Sequence, residues 1–381
     1  MSQEYLSDYI YDEELGRELN VFVTIKGFNQ LAIVEKIMAR KGQKSMGLTA
    51  VTNVRERCYS SGKIVFTDLD RPRFDEVMLR QSPHVITCLE PYHLAIEETR
   101  LAYTAGPQLV VQDLEKGHAT TISNDWMAYL HSVSFSVDGK RILTASTGFD
   151  TIQEIDLTSS RVIWDWNAWD HGFTYSRLAQ CHVTRKRDQA EALKQAHPHS
   201  QVILIDDPTA WPKEGLPTTQ TPANINGAFY GHRGQILATC YHRPELFIIY
   251  KSGDFHLVDL GLQHPHSFMP ITMPHHEGYM VVNSGVGELC FLNDTFEVVK
   301  KVNFSSLPAN KAKKRGFGEW LQTVSLLDSQ QGLFAGVDAL REGIHLVDMP
   351  NRKRRFIPNP PQWSIQTLIR APETRLASSN Q

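Results

Sequence analysis

The chain has 381 residues, of which 41% are apolar and 21% charged, and its formal net charge is -3. This composition is ordinary for a globular protein, and the slightly acidic balance excludes the broad basic surface of a general nucleic-acid binder. The five cysteines lack CxxC spacing, and no apolar run is long enough for a signal peptide or a membrane span, so we expect a cytoplasmic protein with reduced thiols and no membrane contact.

The first 46 residues contain no copy of the repeat that follows them. Within this stretch, residues 29–40 (NQLAIVEKIMAR) carry apolar side chains at helical spacing, which predicts an amphipathic helix with one face packed on the rest of the protein. We therefore expect an N-terminal extension over residues 1–46 and a main domain over residues 47–381.

A short apolar strand that ends in an acidic or turn residue recurs along the main domain. The copies are residues 63–68, 108–113, 151–156 and 343–348, with weaker ones at 201–206, 246–250 and 288–292. Tight turns such as Asp138-Gly139 separate the apolar runs that precede most copies, as in β-hairpins. Seven units of four short strands predict an all-β chain folded as a seven-bladed β-propeller.

The two ends of the repeat region complement each other. The C-terminus supplies an inner and a second strand (residues 365–369 and 375–378), and the first copy supplies a third and a fourth (63–68 and 74–80). Joined, these N- and C-terminal half-blades would close the ring and leave no open sheet edge.

One unit departs from the pattern. Within residues 173–223, a charged, helix-favouring stretch at 187–196 replaces the second strand. This unit is either an atypical blade or a lid insertion, and six blades plus an insertion is the alternative to seven.

The loops that lead into the inner strands of a propeller open on one face, together with the loops between the second and third strands. This face would carry an unusually polar set of side chains. We predict acid–base roles for His131, His171, His242 and Asp150. Substrate or anion binding is predicted for the other residues of the face, which are Arg243, Arg341, His264, His266, Asn226, Gln322, Trp320, Trp363 and Asp338.

A metal ion is the one cofactor that the sequence allows. His93, His131, His242 and His266 come from different repeats, and imidazole is a common ligand for iron and zinc. No P-loop, dinucleotide fingerprint or nucleophile elbow is present, so no organic cofactor is predicted.

Residues 152–171 (IQEIDLTSSRVIWDWNAWDH) combine a strand that ends in an acid, a Trp-x-Trp outer strand and a histidine. This segment resembles the blade signature of arylsulfotransferase-like propellers. The resemblance implies sulfuryl or alkyl transfer involving a phenol-like molecule, with channel histidines as nucleophile or acid/base and Arg243 or Arg341 holding the anionic group. Trp164 and Trp166 alternate on the outer strand and are expected to pack between blades.

Three functions follow as hypotheses. The first is group transfer on a small, aromatic molecule, whose partner is that small molecule and neither nucleic acid nor a membrane. The second is a non-catalytic propeller that presents its loops to a protein partner, and the third is a metalloenzyme with histidine ligands.

Overall fold

The computed structural model describes residues 1–29, 60–308 and 319–373. These residues form short strands joined by tight turns. The first strands are β1 Ser2–Tyr5, β2 Ile10–Tyr11, β3 Asn20–Ile25, β4 Ser61–Asp68, β5 Val85–Leu89, β6 Leu94–Glu97, β7 Arg100–Ala105, β8 Gln108–Asp113, β9 Ala119–Ile122, β10 Leu130–Phe135, β11 Arg141–Ser146, β12 Thr151–Asp156, β13 Arg161–Asn167, β14 Tyr175–Ser176 and β15 Cys181–Thr184. The remaining strands are β16 Gln201–Leu204, β17 Ile225–Tyr230, β18 Ile236–Cys240, β19 Glu245–Ile249, β20 Phe255–Asp259, β21 Pro265–Met273, β22 His276–Asn283, β23 Glu288–Leu292, β24 Val298–Asn303, β25 Leu321–Asp328, β26 Leu333–Asp338, β27 Gly343–Asp348, β28 Lys353–Pro358 and β29 Ile365–Arg370.

Helices are few and short in the described part of the chain. The α-helices are α1 Glu76–Gln81 and α2 Arg187–Ala196, and the 3-10 helices are Leu6–Asp8, Thr147–Phe149, Ala168–His171, Pro208–Ala210 and Ser284–Val286. Among the described residues, every helix is too short or too polar to cross a membrane.

Six of the sheets share one design, in which four antiparallel strands run from an inner to an outer position. Their strand orders are β6-β7-β8-β9, β10-β11-β12-β13, β17-β18-β19-β20, β21-β22-β23-β24, β25-β26-β27-β28 and β29-β3-β4-β5. Their innermost strands contact one another in a closed cycle, β6, β10, β17, β21, β25, β29 and back to β6. Hydrogen bonds join neighbours in this ring: Ser132 Oγ accepts from Ala228 N (2.9 Å), and Thr323 Oγ1 donates to Gln366 O (2.6 Å). All the predicted recurring strands are present, most of them in the third position of a sheet.

The remaining sheet, β14-β15-β16, is built differently. Strands β15 and β16 run parallel and are connected through α2, so the predicted helix-favouring stretch 187–196 is a helix. This sheet contacts α2 and the 3-10 helix Ala168–His171, whereas β10 contacts β17 directly. The sheet of residues 173–223 therefore lies outside the ring of inner strands.

The predicted N-terminal boundary is wrong. Strand β3 lies within residues 1–46 yet pairs with β29 on one side and β4 on the other, inside a sheet of the ring. The closing sheet thus takes one strand from the C-terminus and three from the N-terminus, instead of two from each. The predicted helix over residues 29–40 and the predicted strand 375–378 lie outside the described residues, apart from Asn29.

The predicted outer strand at residues 74–80 is also wrong. This stretch contains α1, because the side chain of Asp75 caps the helix by accepting from the backbone N–H groups of Val77 and Met78 (2.9 and 3.1 Å). The outer strand of the closing sheet is β5 instead.

The first eleven residues, here called the N-terminal strap, hold two neighbouring sheets together. Strand β1 adds parallel to β24, and β2 adds parallel to β28. Between them, Leu6 and Tyr9 are 0% and 3% exposed and pack into the apolar cluster of these two sheets.

We expect the Leu6→Ala substitution to lower the free energy of unfolding by about 3 kcal/mol, because it empties a fully buried leucine site. Ile10→Ala, at a residue on the same strap that is 67% exposed, is the control and should change it by less than about 0.5 kcal/mol. Urea denaturation followed by tryptophan fluorescence measures both variants. Equal losses would show that the strap is not docked through Leu6.

Candidate functional site

A polar cavity opens at the centre of the ring of inner strands. The enclosed part of this cavity has room for about one water molecule, and the rest of the space between its walls is open to solvent. The cavity is lined by Tyr92, His93, His131, Asn226, Phe229, His266, Ser267, Gln322, Thr323 and Gln366. The structure therefore brings together four of the predicted site residues, His131, Asn226, His266 and Gln322, and also His93.

Five of the six ring strands carry a lining residue near their start, and Tyr92 and His93 lie just before the sixth, β6. The five residues are His131, Asn226, His266, Gln322 and Gln366. In three strands this residue is left unpaired by a β-bulge. The register skips His131 between Leu130 and Ser132, and it skips Asn226 and Gln322 in the same way. A bulge re-aims one side chain, which explains how these polar groups line the cavity although the residues around them pair regularly.

His131 and His266 are held in the same manner in two different sheets. Nδ1 of His131 lies 2.9 Å from Tyr129 O and 2.8 Å from Thr147 Oγ1. Nδ1 of His266 lies 2.9 Å from His264 O and 2.8 Å from Ser284 Oγ. Because a carbonyl oxygen can only accept, each Nδ1 carries the proton, and Nε2 is the nitrogen with a basic lone pair.

Burial keeps two of the cavity histidines neutral. It lowers the pKa of His266 to about 4, and it lowers the pKa of His93 to about 4 against the opposing effect of a hydrogen bond to the backbone of Val133. His93 Nδ1 is buried and has no hydrogen-bond partner among the described residues. Both side chains are therefore hydrogen-bonding groups without charge at neutral pH.

A cluster of two tyrosines and a lysine adjoins His131. The Tyr92 ring lies 4.0 Å from the His131 ring and the Tyr129 ring 4.7 Å from it, measured between centroids. The two tyrosine hydroxyls are 2.5 Å apart, and Lys26 Nζ contacts both, at 3.2 Å from that of Tyr129. Sequence reasoning missed all three residues; for Lys26, the reason is that it was assigned to the N-terminal extension.

A second group of aromatic rings surrounds His266. The ring centroid of Trp320 is 6.0 Å from that of His266 and 5.9 Å from that of Tyr241, and His264 stacks on Tyr241 at 4.3 Å. Trp320 Nε1 also donates to Gln322 Oε1 (2.8 Å). The predicted residues His264 and Trp320 thus flank the cavity and do not line it.

Three predicted acid–base residues do not line the cavity. Asp150 is 0% exposed and accepts from Ala223 N, Ile225 N and Trp169 Nε1 at 3.0 to 3.2 Å, which makes it a structural carboxylate. His242 Nε2 donates to Thr218 O (2.7 Å). His171 stacks on Trp166 with centroids 4.7 Å apart.

The packing of Trp166 agrees with its prediction. Its ring lies 6.2 and 5.9 Å from the rings of Phe247 and Phe255, which belong to the neighbouring sheet. The interblade position expected for this tryptophan is confirmed.

Both predicted anion clamps are paired with carboxylates. Arg243 forms two hydrogen bonds to the carboxylate of Glu245 (3.0 and 3.1 Å). Arg341 is 7% exposed and binds Asp338 and Glu319 (2.9 and 2.8 Å) as well as the carbonyl of Leu307. The Arg341 guanidinium is therefore committed to the fold, whereas Arg243, which is 27% exposed, bonds Glu245 with two of its five N–H donors.

A side cavity of about 310 Å³ adjoins the central one, and the two share Gln322 and Gln366 in their walls. The predicted residues Asp338 and Trp363 belong to this side cavity. Trp363 Nε1 is buried without a hydrogen-bond partner in the described part of the chain. The carboxylate of Asp338 accepts a hydrogen bond from Arg341.

The four histidines proposed as metal ligands do not form a metal site. His93, His131 and His266 line the central cavity, whereas His242 is bound to Thr218 O. Over residues 1–29, 60–308 and 319–373, no three His, Cys, Asp or Glu side chains are grouped so that they could hold a metal ion.

No protein-family model matches the chain, and no curated protein matches it either. A solved protein of unknown function from Bacteroides caccae is 11% identical, covers 92% of this chain and 98% of its own, and has a TM-score of 0.53. A chain of a nidogen/laminin complex is 10% identical over 92% and 98%, with a TM-score of 0.50. A streptogramin B lyase is 9% identical over 78% and 79%, with a TM-score of 0.45.

The chain is all-β, and its structural neighbours are β-propellers. At these identities the likeness shows the fold alone, and the neighbours' activities do not carry over. The predicted propeller is confirmed at this level. What the cavity does has to be argued from its own side chains.

Proposed function

We propose that this propeller is an enzyme that transfers a group to the hydroxyl of a small aromatic molecule bound on the face where the central cavity opens. The observation that carries the proposal is the contact of His131 with the hydrogen-bonded set Tyr92, Tyr129 and Lys26. An imidazole next to hydroxyl groups that can donate a proton is the arrangement that general acid–base catalysis requires. The aromatic rings on both sides of the cavity supply faces for a flat substrate.

In this proposal His131 acts as the general base. Its Nε2 takes the proton of the acceptor hydroxyl, and that oxygen forms the new bond to the transferred group. The bond between this group and the donor breaks, and the leaving oxygen takes a proton from a tyrosine hydroxyl of the set, with Lys26 stabilising the tyrosinate. Return of the proton from the His131 imidazolium to the tyrosinate restores the starting state.

We also infer that the ring has six blades, with residues 173–223 as an insertion. The closed cycle of contacts among six inner strands and the direct contact of β10 with β17 support this count. Six is within the usual range for propellers.

A product assay tests the proposed activity. The protein is incubated with resorcinol as acceptor and with 4-nitroanisole or 4-nitrophenyl sulfate as donor, and 4-nitrophenol release and the resorcinol adduct are measured. His131→Ala should lower the rate at least about 100-fold, and Tyr129→Phe about 10-fold or more, because each removes a proton-transfer group.

His171→Ala is the control, since His171 stacks on Trp166 and does not line the cavity. It should retain the wild-type rate. Absence of turnover with both donors, or equal rates for the His131 and His171 variants, would contradict the proposed activity.

A further inference from the structure

Residues 173–223, which lie outside the ring of inner strands, pack against the 3-10 helix Thr147–Phe149. Gly148 O accepts a hydrogen bond from Leu216 N (2.8 Å). Phe149 is 1% exposed and belongs to the same apolar cluster as Leu216. The helix is therefore held in place by a part of the chain that does not belong to the ring.

The backbones of Gly148 and Gly215 meet without room for a side chain. A Cβ atom on Gly148 would lie 2.8 Å from Glu214 O, and one on Gly215 would lie 2.7 Å from Gly148 O. Both distances are shorter than the contacts that Cβ atoms make in proteins, and Gly215 also has a positive φ of 64°. A displacement of residues 214–216 therefore displaces the helix as well.

The helix is also fixed to the start of β17. Thr147 Oγ1 donates to Ile225 O (2.5 Å). The carboxylate of Asp150, directly after the helix, accepts from Ala223 N and Ile225 N (3.0 and 3.1 Å). Because the hydrogen of the Thr147 hydroxyl goes to Ile225 O, its oxygen is oriented to accept from His131 Nδ1 (2.8 Å).

Both groups that hold His131 Nδ1 depend on this helix. One is the Thr147 hydroxyl, and the other is Tyr129 O at 2.9 Å. Tyr129 O also accepts from Thr147 N (3.3 Å), and Ala128 O before it accepts from Gly148 N (2.9 Å). A displacement of the helix therefore reaches the imidazole through both contacts.

We propose that residues 173–223 hold the base His131 in its catalytic position, with Thr147 as the positioning residue that connects them. The expected effect on turnover rests on the proposed function, whereas the expected effect on the imidazole does not. These residues do not line the cavity. They act on the site through the backbone contact of Gly215 with Gly148.

NMR of the histidine rings tests the position of His131 without any substrate. The protein is prepared with isotope-labelled histidine, and the His131 signals are those that disappear in His131→Ala. In the wild type they should show a single tautomer with the proton on Nδ1. Gly215→Ala and Thr147→Val should each shift these signals or add those of the second tautomer, because each displaces the groups that hold Nδ1.

Two matched controls carry similar changes elsewhere. Gly234→Ala also places an alanine at a positive φ (77°), but a Cβ atom there would meet nothing within 4 Å. Thr144→Val also removes a buried hydroxyl that donates to a backbone carbonyl, in this case Ser132 O (2.7 Å) instead of Ile225 O. Both variants should leave the His131 signals unchanged.

The product assay with resorcinol measures the consequence for turnover. Thr147→Val should lower kcat about 10-fold or more and leave KM unchanged, because it displaces the base and not the substrate. Thr147→Ser keeps the hydroxyl and should keep kcat within about 2-fold of the wild type.

The two proposals fail on different results. Shifted His131 signals in a protein without any turnover would remove the proposed activity and leave this inference standing. Unshifted signals in the Gly215 or the Thr147 variant would overturn the inference whatever the rate. If Gly215→Ala does not fold, Leu216→Ala takes its place under the same criterion, since it empties a fully buried site in the same contact.

Discussion

Replacing Asp150 by alanine should lower the free energy of unfolding by about 4 kcal/mol. The substitution leaves three buried N–H groups, those of Ala223, Ile225 and the Trp169 indole, without an acceptor. Each orphaned donor costs about 1 to 3 kcal/mol. Asp150 also has a positive φ of 48°, a backbone conformation that alanine adopts less readily than aspartate.

Urea denaturation of the purified variant measures this loss. The control is Asp165→Ala, whose side chain is 41% exposed and pairs with Arg185 at 3.0 Å. Exposed ion pairs contribute about 1 kcal/mol or less, so the control should stay close to the wild type. If both variants lose the same amount, Asp150 does not join the 3-10 helix Thr147–Phe149 to the start of β17 as described.

The catalytic role predicted for Asp150 from its residue type was wrong. The sequence places an acid in a loop that faces the channel, and a catalytic base is a reasonable expectation there. Its partners are backbone N–H groups at residues 223 and 225, more than seventy positions away, and nothing in a residue pattern reveals them. The same holds for the anion-binding role predicted for Arg341. The residue bonds to Glu319 and to the Leu307 carbonyl, which are distant in sequence and come close only in the folded chain.

Position within the repeat was more informative than residue type. Alternating apolar strands and turns such as Asp138-Gly139 locate the start of each inner strand, and polar residues just after these starts line the cavity. His131, Asn226, His266 and Gln322 were predicted on this basis and do line it. Period-2 patterning is a local property, which is why a single sequence is enough to find it.

The repeat pattern does not reveal strand β3, and with it the position of Lys26 beside the cavity. Strand β3 lacks a neighbouring copy in sequence, since its partners β29 and β4 come from the far end of the chain and from beyond residue 60. Lys26 follows this strand directly, and its contacts with Tyr92 and Tyr129 depend on that pairing. The sequence predicted that the two ends of the chain close the ring, but it did not show that β3 is one of the closing strands.

Acid should destabilise the protein through the two buried cavity histidines. Their folded pKa is about 4, whereas an unfolded histidine titrates near 6.5, so the unfolded chain binds more protons between these values. The stability present above pH 6.5 is then lost as the pH falls toward 4, by about 3 kcal/mol for each histidine. Asp150 works in the opposite direction: burial raises its pKa to about 6, and its contribution is largest in acid and lost as the pH rises to 6.

Free energies of unfolding measured from pH 7 to pH 4 test this balance. His266→Asn removes one of the two histidines and should nearly abolish the net acid loss, because the opposing contribution of Asp150 then offsets the remaining histidine. Asp150→Asn should steepen the loss, since it removes the opposing group. A curve for the Asp150→Asn variant that is flat between pH 7 and pH 4 would mean that His93 and His266 are hydrated in the folded protein.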